Sequence, residues 1–113
     1  MGQLISVSVL ALGLGLLSAT AIPAEELLTF KLVAREGRFQ PDTIEVPAGR
    51  RFRLEISNQN AGPEEFESRE LRKELVLAPG VTRTVVFAPL KPGSYPFFGE
   101  FHPQTAKGRI IAK

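Results

Sequence analysis

A chain of 113 residues has room for one small domain, which excludes a large enzyme with a lid and a second domain. Its 14 Lys and Arg residues nearly balance 12 Asp and Glu residues, and the two signs alternate closely along the sequence. This distribution indicates no basic stripe for nucleic acid. The absence of cysteine excludes disulfide bonds, cysteine catalysis and thiolate metal sites.

The N-terminal segment is an apolar run at residues 4–17, interrupted only by Ser and Gly and followed by the small residues Ala19, Ala21 and Ala24. This pattern is typical of a cleavable secretory signal peptide. We predict a signal peptide at residues 1–24, with cleavage after Ala21 or Ala24, and a periplasmic domain at residues 25–113. The alternative is an uncleaved anchor, although the run is shorter than the ~20 residues that span a bilayer. After cleavage we expect no stable membrane insertion.

Pro and Gly recur through the rest of the chain and divide it into segments too short for stable helices. Seven segments rich in Val, Ile, Thr, Tyr and Phe are predicted strands, and an eighth is indicated near Phe66. The seven are residues 28–35, 43–46, 51–57, 74–77, 82–87, 94–98 and 109–112. Their spacing predicts an all-β fold, a Greek-key β-sandwich of about 7–8 strands, with one long connection at residues 58–73.

Three stretches carry a family resemblance: FQPDTIEVPAG at residues 39–49, the Pro-Gly pair 79–80 with PLKPGSY at 89–95, and FFGEFHP at 97–103. Together they resemble the cupredoxin family. In that family the first stretch leads into the strand before the first ligand loop, and the last contains the metal loop between the final two strands. The resemblance therefore implies a cupredoxin-like sandwich with its ligand loops at one end.

The metal loop of blue-copper cupredoxins has a pattern like C-x2-H-x3-M, and here the same frame holds Gly99, His102 and Ala106. A type-1 copper site needs two imidazoles, one thiolate and usually a weak axial thioether. With one His and no Cys, the chain has no type-1 blue copper. The segment PEEFESREL at residues 63–71 is similar to cupredoxin-like domains of periplasmic bacterial iron-uptake proteins, which have glutamates where electron-transfer cupredoxins have their first histidine ligand.

Carboxylates on the two ligand loops are the metal donors that remain. If Phe66 points into the core, strand alternation places the carboxylates on either side of it together on the opposite face. By the same rule, Glu100 and His102, which flank Phe101, are expected to point to one side together. The predicted metal ligands are Glu65, Glu67, Glu100 and His102. Carboxylates with one imidazole suit an iron or copper ion (Fe³⁺, Fe²⁺ or Cu²⁺), Mn²⁺ or Zn²⁺, whereas Cu⁺ prefers sulfur.

A simpler interpretation of these residues stays open. The glutamates can form a solvated surface paired with neighbouring basic residues, and His102 can be an ordinary hydrogen-bonded loop residue. Alternation predicts that Glu64 points to the same face of its strand as Phe66. It also predicts that Phe97, Phe98 and Phe101 are core and loop-anchoring residues.

Two functional hypotheses follow, and no catalytic constellation accompanies them, so we do not expect an enzyme. The first is a periplasmic protein that binds a transition-metal ion, iron or copper, as an accessory to metal uptake or trafficking. Its partners would be the metal ion and a periplasmic or inner-membrane metal-transport protein, not nucleic acid. The alternative is a metal-free cupredoxin-fold module for protein interaction or structure.

Overall fold

The computed structural model describes residues 27–113, so the predicted signal peptide lies outside the described residues. This part of the chain folds into nine strands without a helix, and it therefore contains no helix able to span a membrane. The strands are β1 (Leu28–Arg35), β2 (Arg38–Gln40), β3 (Thr43–Val46), β4 (Phe52–Asn58), β5 (Glu64–Ser68), β6 (Lys73–Leu77), β7 (Thr82–Phe87), β8 (Gly93–Phe98) and β9 (Lys107–Ala112).

The predicted all-β sandwich is confirmed, and the seven predicted strands occur with bounds shifted by at most two residues. The strand near Phe66 is β5, which occupies part of the predicted long connection. The sequence missed β2 because three residues are too short to show alternation. This strand pairs with the end of β1 across a turn at Glu36 and Gly37.

Two sheets make up the sandwich. One has the order β2-β1-β4-β7 and the other β3-β9-β8-β5-β6. The pairs β1 with β4 and β3 with β9 are parallel, whereas the other pairs are antiparallel. Because β5 lies between β6 and β8, the acidic segment predicted to bind metal sits inside a sheet.

The core follows the period-2 pattern of the strands. Phe52, Leu54 and Ile56 on β4 are buried, as their alternation with polar residues predicts. Under the ligand-loop end, the Phe66 and Phe97 rings lie 5.0 Å apart between centroids, and Phe39 packs on Phe97 at 5.4 Å. Burial of each such ring stabilises the fold by about 1.5–3 kcal/mol. Phe66 and Phe97 thus form a packed floor beneath the candidate site.

Two connections meet above this floor: residues 59–63 between β4 and β5, and residues 99–106 between β8 and β9. The buried amide of Asn58 holds the first, because its Nδ2 donates to the carbonyls of Gly62 at 2.9 Å and Leu77 at 3.0 Å. The second connection is held by its own backbone, where the Ala106 N–H donates to the His102 carbonyl at 2.7 Å. Each connection is therefore held by hydrogen bonds to its backbone.

Candidate metal-binding site

Four carboxylates converge at this end of the second sheet, and we call them the carboxylate cluster: Glu65, Glu67, Glu74 and Glu100. One carboxylate oxygen of each lies within 4.8 Å of one oxygen of every other. Glu65 and Glu67 share a face of β5 because Phe66 between them points into the core. Glu74 joins them because it lies opposite Glu67 in the β5–β6 ladder.

Glu100 is tied to the cluster through its backbone. Its N–H donates to Oε1 of Glu65 at 3.1 Å, which links the metal-loop segment to β5. β5 and β8 pair at Glu67 and Phe98, so residue 100 lies two positions beyond a paired residue of β8. A hydrogen bond from backbone to carboxylate orients the Glu65 side chain toward the loop.

Burial raises the pKa of Glu65 from 4.5 to about 7, since this side chain is only 4% exposed and water solvates its charge poorly. The Glu100 N–H lowers the pKa, whereas the charges of Glu100 and Glu67 and a hydrogen bond to Glu74 raise it. The cluster therefore holds a proton at Glu65 up to nearly neutral pH. A bound cation would offset the repulsion between these neighbouring carboxylates.

A basic residue, Arg69, borders the cluster at Glu67. The Arg69 Nε lies 3.9 Å from Oε2 of Glu67, and the guanidinium stacks 5.2 Å from the centroid of the Phe98 ring. The Arg69 side chain is 79% exposed, so this ion pair is weak. The solvated-surface interpretation therefore describes this edge of the cluster but not the buried carboxylate of Glu65.

His102 lies in a different contact from the other three predicted ligands. Its Nδ1 is 2.5 Å from Oε2 of Glu64, a carboxylate that is completely buried. The structure thus brings Glu65, Glu67 and Glu100 together, adds Glu74, and pairs His102 with Glu64 instead. Strand alternation predicted that Glu64 lies on the same face of β5 as Phe66. There its carboxylate contacts His102 in the connection between β8 and β9.

Gly99 explains why Glu64 fits there. A Cβ at residue 99 would lie 2.6 Å from Oε1 of Glu64 and 2.8 Å from the Glu65 carbonyl oxygen, distances at which the neighbouring groups would have to shift. The Glu64 carboxylate therefore fills the space that a side chain at position 99 would need. The residues present do not fit a type-1 copper centre, since the chain has no thiolate and no room for one at this position.

The aromatic residues of the metal loop behave differently from one another. Phe97 is buried in the core as expected, and Phe98 is half-buried. The prediction was wrong for Phe101, which is 51% exposed beside His102. Alternation does not hold there because β8 ends at Phe98 and the chain turns at Gly99.

Comparisons with known proteins agree with this architecture. The sequence profile of the Cupredoxin-like domain family matches residues 8–112. This chain belongs to that family. An uncharacterized protein of Rickettsia prowazekii (strain Madrid E) is 40% identical over 87 residues, which cover 77% of this chain and 70% of that protein.

Solved structures share the cupredoxin fold at low identity. Auracyanin A, a blue copper protein of Chloroflexus aurantiacus, has a TM-score of 0.65 at 15% identity, over 78% of this chain and 100% of that one. Dithionite-reduced auracyanin of Roseiflexus castenholzii has a TM-score of 0.63 at 15% identity, over 75% and 96%. These similarities establish the fold, while the absence of cysteine separates this cupredoxin-like chain from a blue copper carrier.

Proposed function

We propose that this chain is an exported, periplasmic cupredoxin-like protein that binds an iron or copper ion through carboxylates and is accessory to metal uptake or trafficking. The observation that carries the proposal is the carboxylate cluster, in which four carboxylates lie within 4.8 Å of one another and one is buried. The arrangement supports binding and release of an ion rather than electron transfer, which in this fold depends on a thiolate.

The donor set suits hard or borderline cations. Carboxylate oxygens favour Fe³⁺, Fe²⁺, Mn²⁺ and Cu²⁺ over Cu⁺. Glu67 and Glu100 are partly or fully open to solvent, whereas Glu65 lies beneath them, so an ion would reach the cluster from the surface. Because the pKa of Glu65 is about 7, binding would release a proton and strengthen as pH rises through neutrality.

A metal-free interaction module is the second candidate, and the Glu64–His102 pair favours it. The buried carboxylate and the imidazole already satisfy one another at 2.5 Å, so these positions have partners within the chain itself. On this hypothesis the exposed carboxylates of the cluster form a solvated acidic surface and the loops dock a partner.

The deciding experiment has two arms. Metal content is measured in protein purified from the periplasm, and the purified protein is titrated calorimetrically with Cu²⁺ and with Fe³⁺ supplied as its citrate complex. We expect saturable 1:1 binding in the cluster, weakened at least tenfold (about 1.4 kcal/mol) in Glu65→Gln and Glu67→Gln. The exposed Glu70 serves as matched control through Glu70→Gln, which should bind as wild type does. Absence of saturable binding would favour the interaction module.

A further inference from the structure

A row of paired residues crosses the outer face of the second sheet from the carboxylate cluster to β9. Glu74 lies opposite Glu67. Glu67 lies opposite Phe98, which in turn lies opposite Lys107. Directly paired residues project from the same face of a sheet, so acidic, aromatic and basic side chains follow one another along the row. Neighbouring strands are about 4.8 Å apart, so the backbone at Lys107 lies roughly 10 Å from that at Glu67.

A groove follows β8 and β9 on the basic side of this face, and we call it the basic groove. It consists of two adjoining depressions of about 410 and 380 Å³, which share the lining residues Pro96, Lys107 and Gly108. Arg109 lines the first depression, and Arg69 lines the second. The groove therefore presents three cations along one continuous depression, with Lys107 common to both parts.

The cations of the basic groove are available to a ligand. Within residues 27–113, the exposed side chains of Lys107 and Arg109 form no ion pair and no hydrogen bond. The Arg69 guanidinium lies 5.2 Å from the centroid of the Phe98 ring and makes only a weak ion pair with Glu67 at 3.9 Å. Most of its five N–H donors therefore remain available to an acceptor.

The arrangement of the cations determines which anion fits. Lys107 and Arg109 are two residues apart on one strand, which separates them by roughly 7 Å, and Arg69 lies in the other depression. A compact anion reaches one or two of these groups, whereas an extended anion with several carboxylates reaches all three. Guanidinium groups also pair with carboxylates through two parallel hydrogen bonds. Among the described residues that line the groove, Asp42 is the only acid, so cations outnumber it three to one.

We propose that the basic groove binds a small polycarboxylate anion, and that this anion is the ligand of a ferric chelate whose iron faces the carboxylate cluster. Fe³⁺ hydrolyses at neutral pH unless it is chelated, and carboxylates are hard donors that suit it. The cluster repels a bare anion but attracts the positive centre of a chelate, so each part of the chelate meets the opposite charge. Binding of the anion stands by itself, whereas its identity as an iron chelate rests on the proposed function.

The first experiment uses sodium citrate, without metal, as the probe. In ¹H–¹⁵N NMR titrations of metal-free protein at pH 7.5 and low ionic strength, the amides of residues 69, 98 and 107–109 should shift saturably. We expect a Kd of about 1 mM or lower. Sodium phosphate at the same ionic strength should bind at least tenfold more weakly. Lack of a saturable shift in the groove, or equal binding of phosphate, would overturn the proposal.

Substitution of exposed cations separates the groove from the net charge of the protein. The double variant Lys107→Gln/Arg109→Gln should weaken citrate binding at least tenfold. The matched control is Lys31→Gln/Arg53→Gln, which removes one Lys and one Arg from the exposed face of the first sheet. It lowers the net charge equally and should bind citrate as wild type does. Equal weakening in the two double variants would overturn the proposal.

Metal titrations separate this inference from the proposed function. The groove double variant should weaken calorimetric binding of ferric citrate at least tenfold and leave binding of Cu²⁺, supplied as its chloride, unchanged. Glu67→Gln should weaken both metal titrations without weakening binding of metal-free citrate. Equal loss of Cu²⁺ binding in the groove variant would overturn the inference. Citrate binding without metal binding in the cluster would refute the proposed function alone, and Cu²⁺ binding without citrate binding would refute the basic groove alone.

Discussion

Glu65→Gln tests whether the cluster imposes an electrostatic cost on the metal-free fold. The raised pKa means that folded Glu65 holds its proton more tightly than the unfolded chain does. The cost of ionising the buried carboxylate is therefore absent below 4.5, grows as pH rises toward 7, and is complete above 7. Glutamine removes that cost while keeping an oxygen that can accept the Glu100 N–H.

The magnitude follows from the two pKa values. The difference between a pKa of 4.5 and one of about 7, at about 1.4 kcal/mol per pKa unit, corresponds to about 3.5 kcal/mol. Solvent around the exposed members of the cluster screens this to roughly 2 kcal/mol. We therefore expect Glu65→Gln to be more stable than wild type at pH 8 by roughly 2 kcal/mol, or roughly 8–16 °C in melting temperature. The gain should nearly vanish at pH 4.5.

Urea unfolding followed by circular dichroism, in chelator-treated buffer at both pH values, measures this difference. Glu70→Gln, on the exposed turn between β5 and β6, is the control and should show no pH-dependent gain. An equal effect of Glu65→Gln at pH 4.5 and pH 8, or a loss of stability that grows with pH, would refute the electrostatic reasoning.

Three further predictions concern the loop, the core and export. Gly99→Ala should destabilise the fold by about 1–3 kcal/mol, because its Cβ would press on Glu64 and on the Glu65 carbonyl; a wild-type unfolding curve would contradict this. Phe66→Ala should cost about 3–5 kcal/mol by emptying the floor of the site, measured by the same unfolding assay. Intact-mass analysis of the exported protein should show that residues 1–21 or 1–24 are missing; retention of Met1 would contradict periplasmic release.

Much of the fold could be predicted from the sequence because its signals are local. Period-2 alternation and frequent turn residues located eight of the nine strands, and the absence of cysteine excluded type-1 copper. The same alternation around Phe66 correctly placed Glu65 and Glu67 on one face. These inferences depend only on the alternation of side chains along a single strand, which the sequence of that strand determines by itself.

Contacts between residues on different strands and loops were determined only by the tertiary structure. Glu74 enters the cluster because the β5–β6 register places it opposite Glu67. Alternation within one strand does not show which residue of the neighbouring strand lies opposite. His102 and Phe101 lie in a turn where alternation stops, so their partners depend on which connections meet there. Glu64 can place its carboxylate against His102 because Gly99 has no Cβ to occupy the position of that carboxylate. Such contacts join residues far apart in sequence, and only the packing of the two ligand loops specifies them.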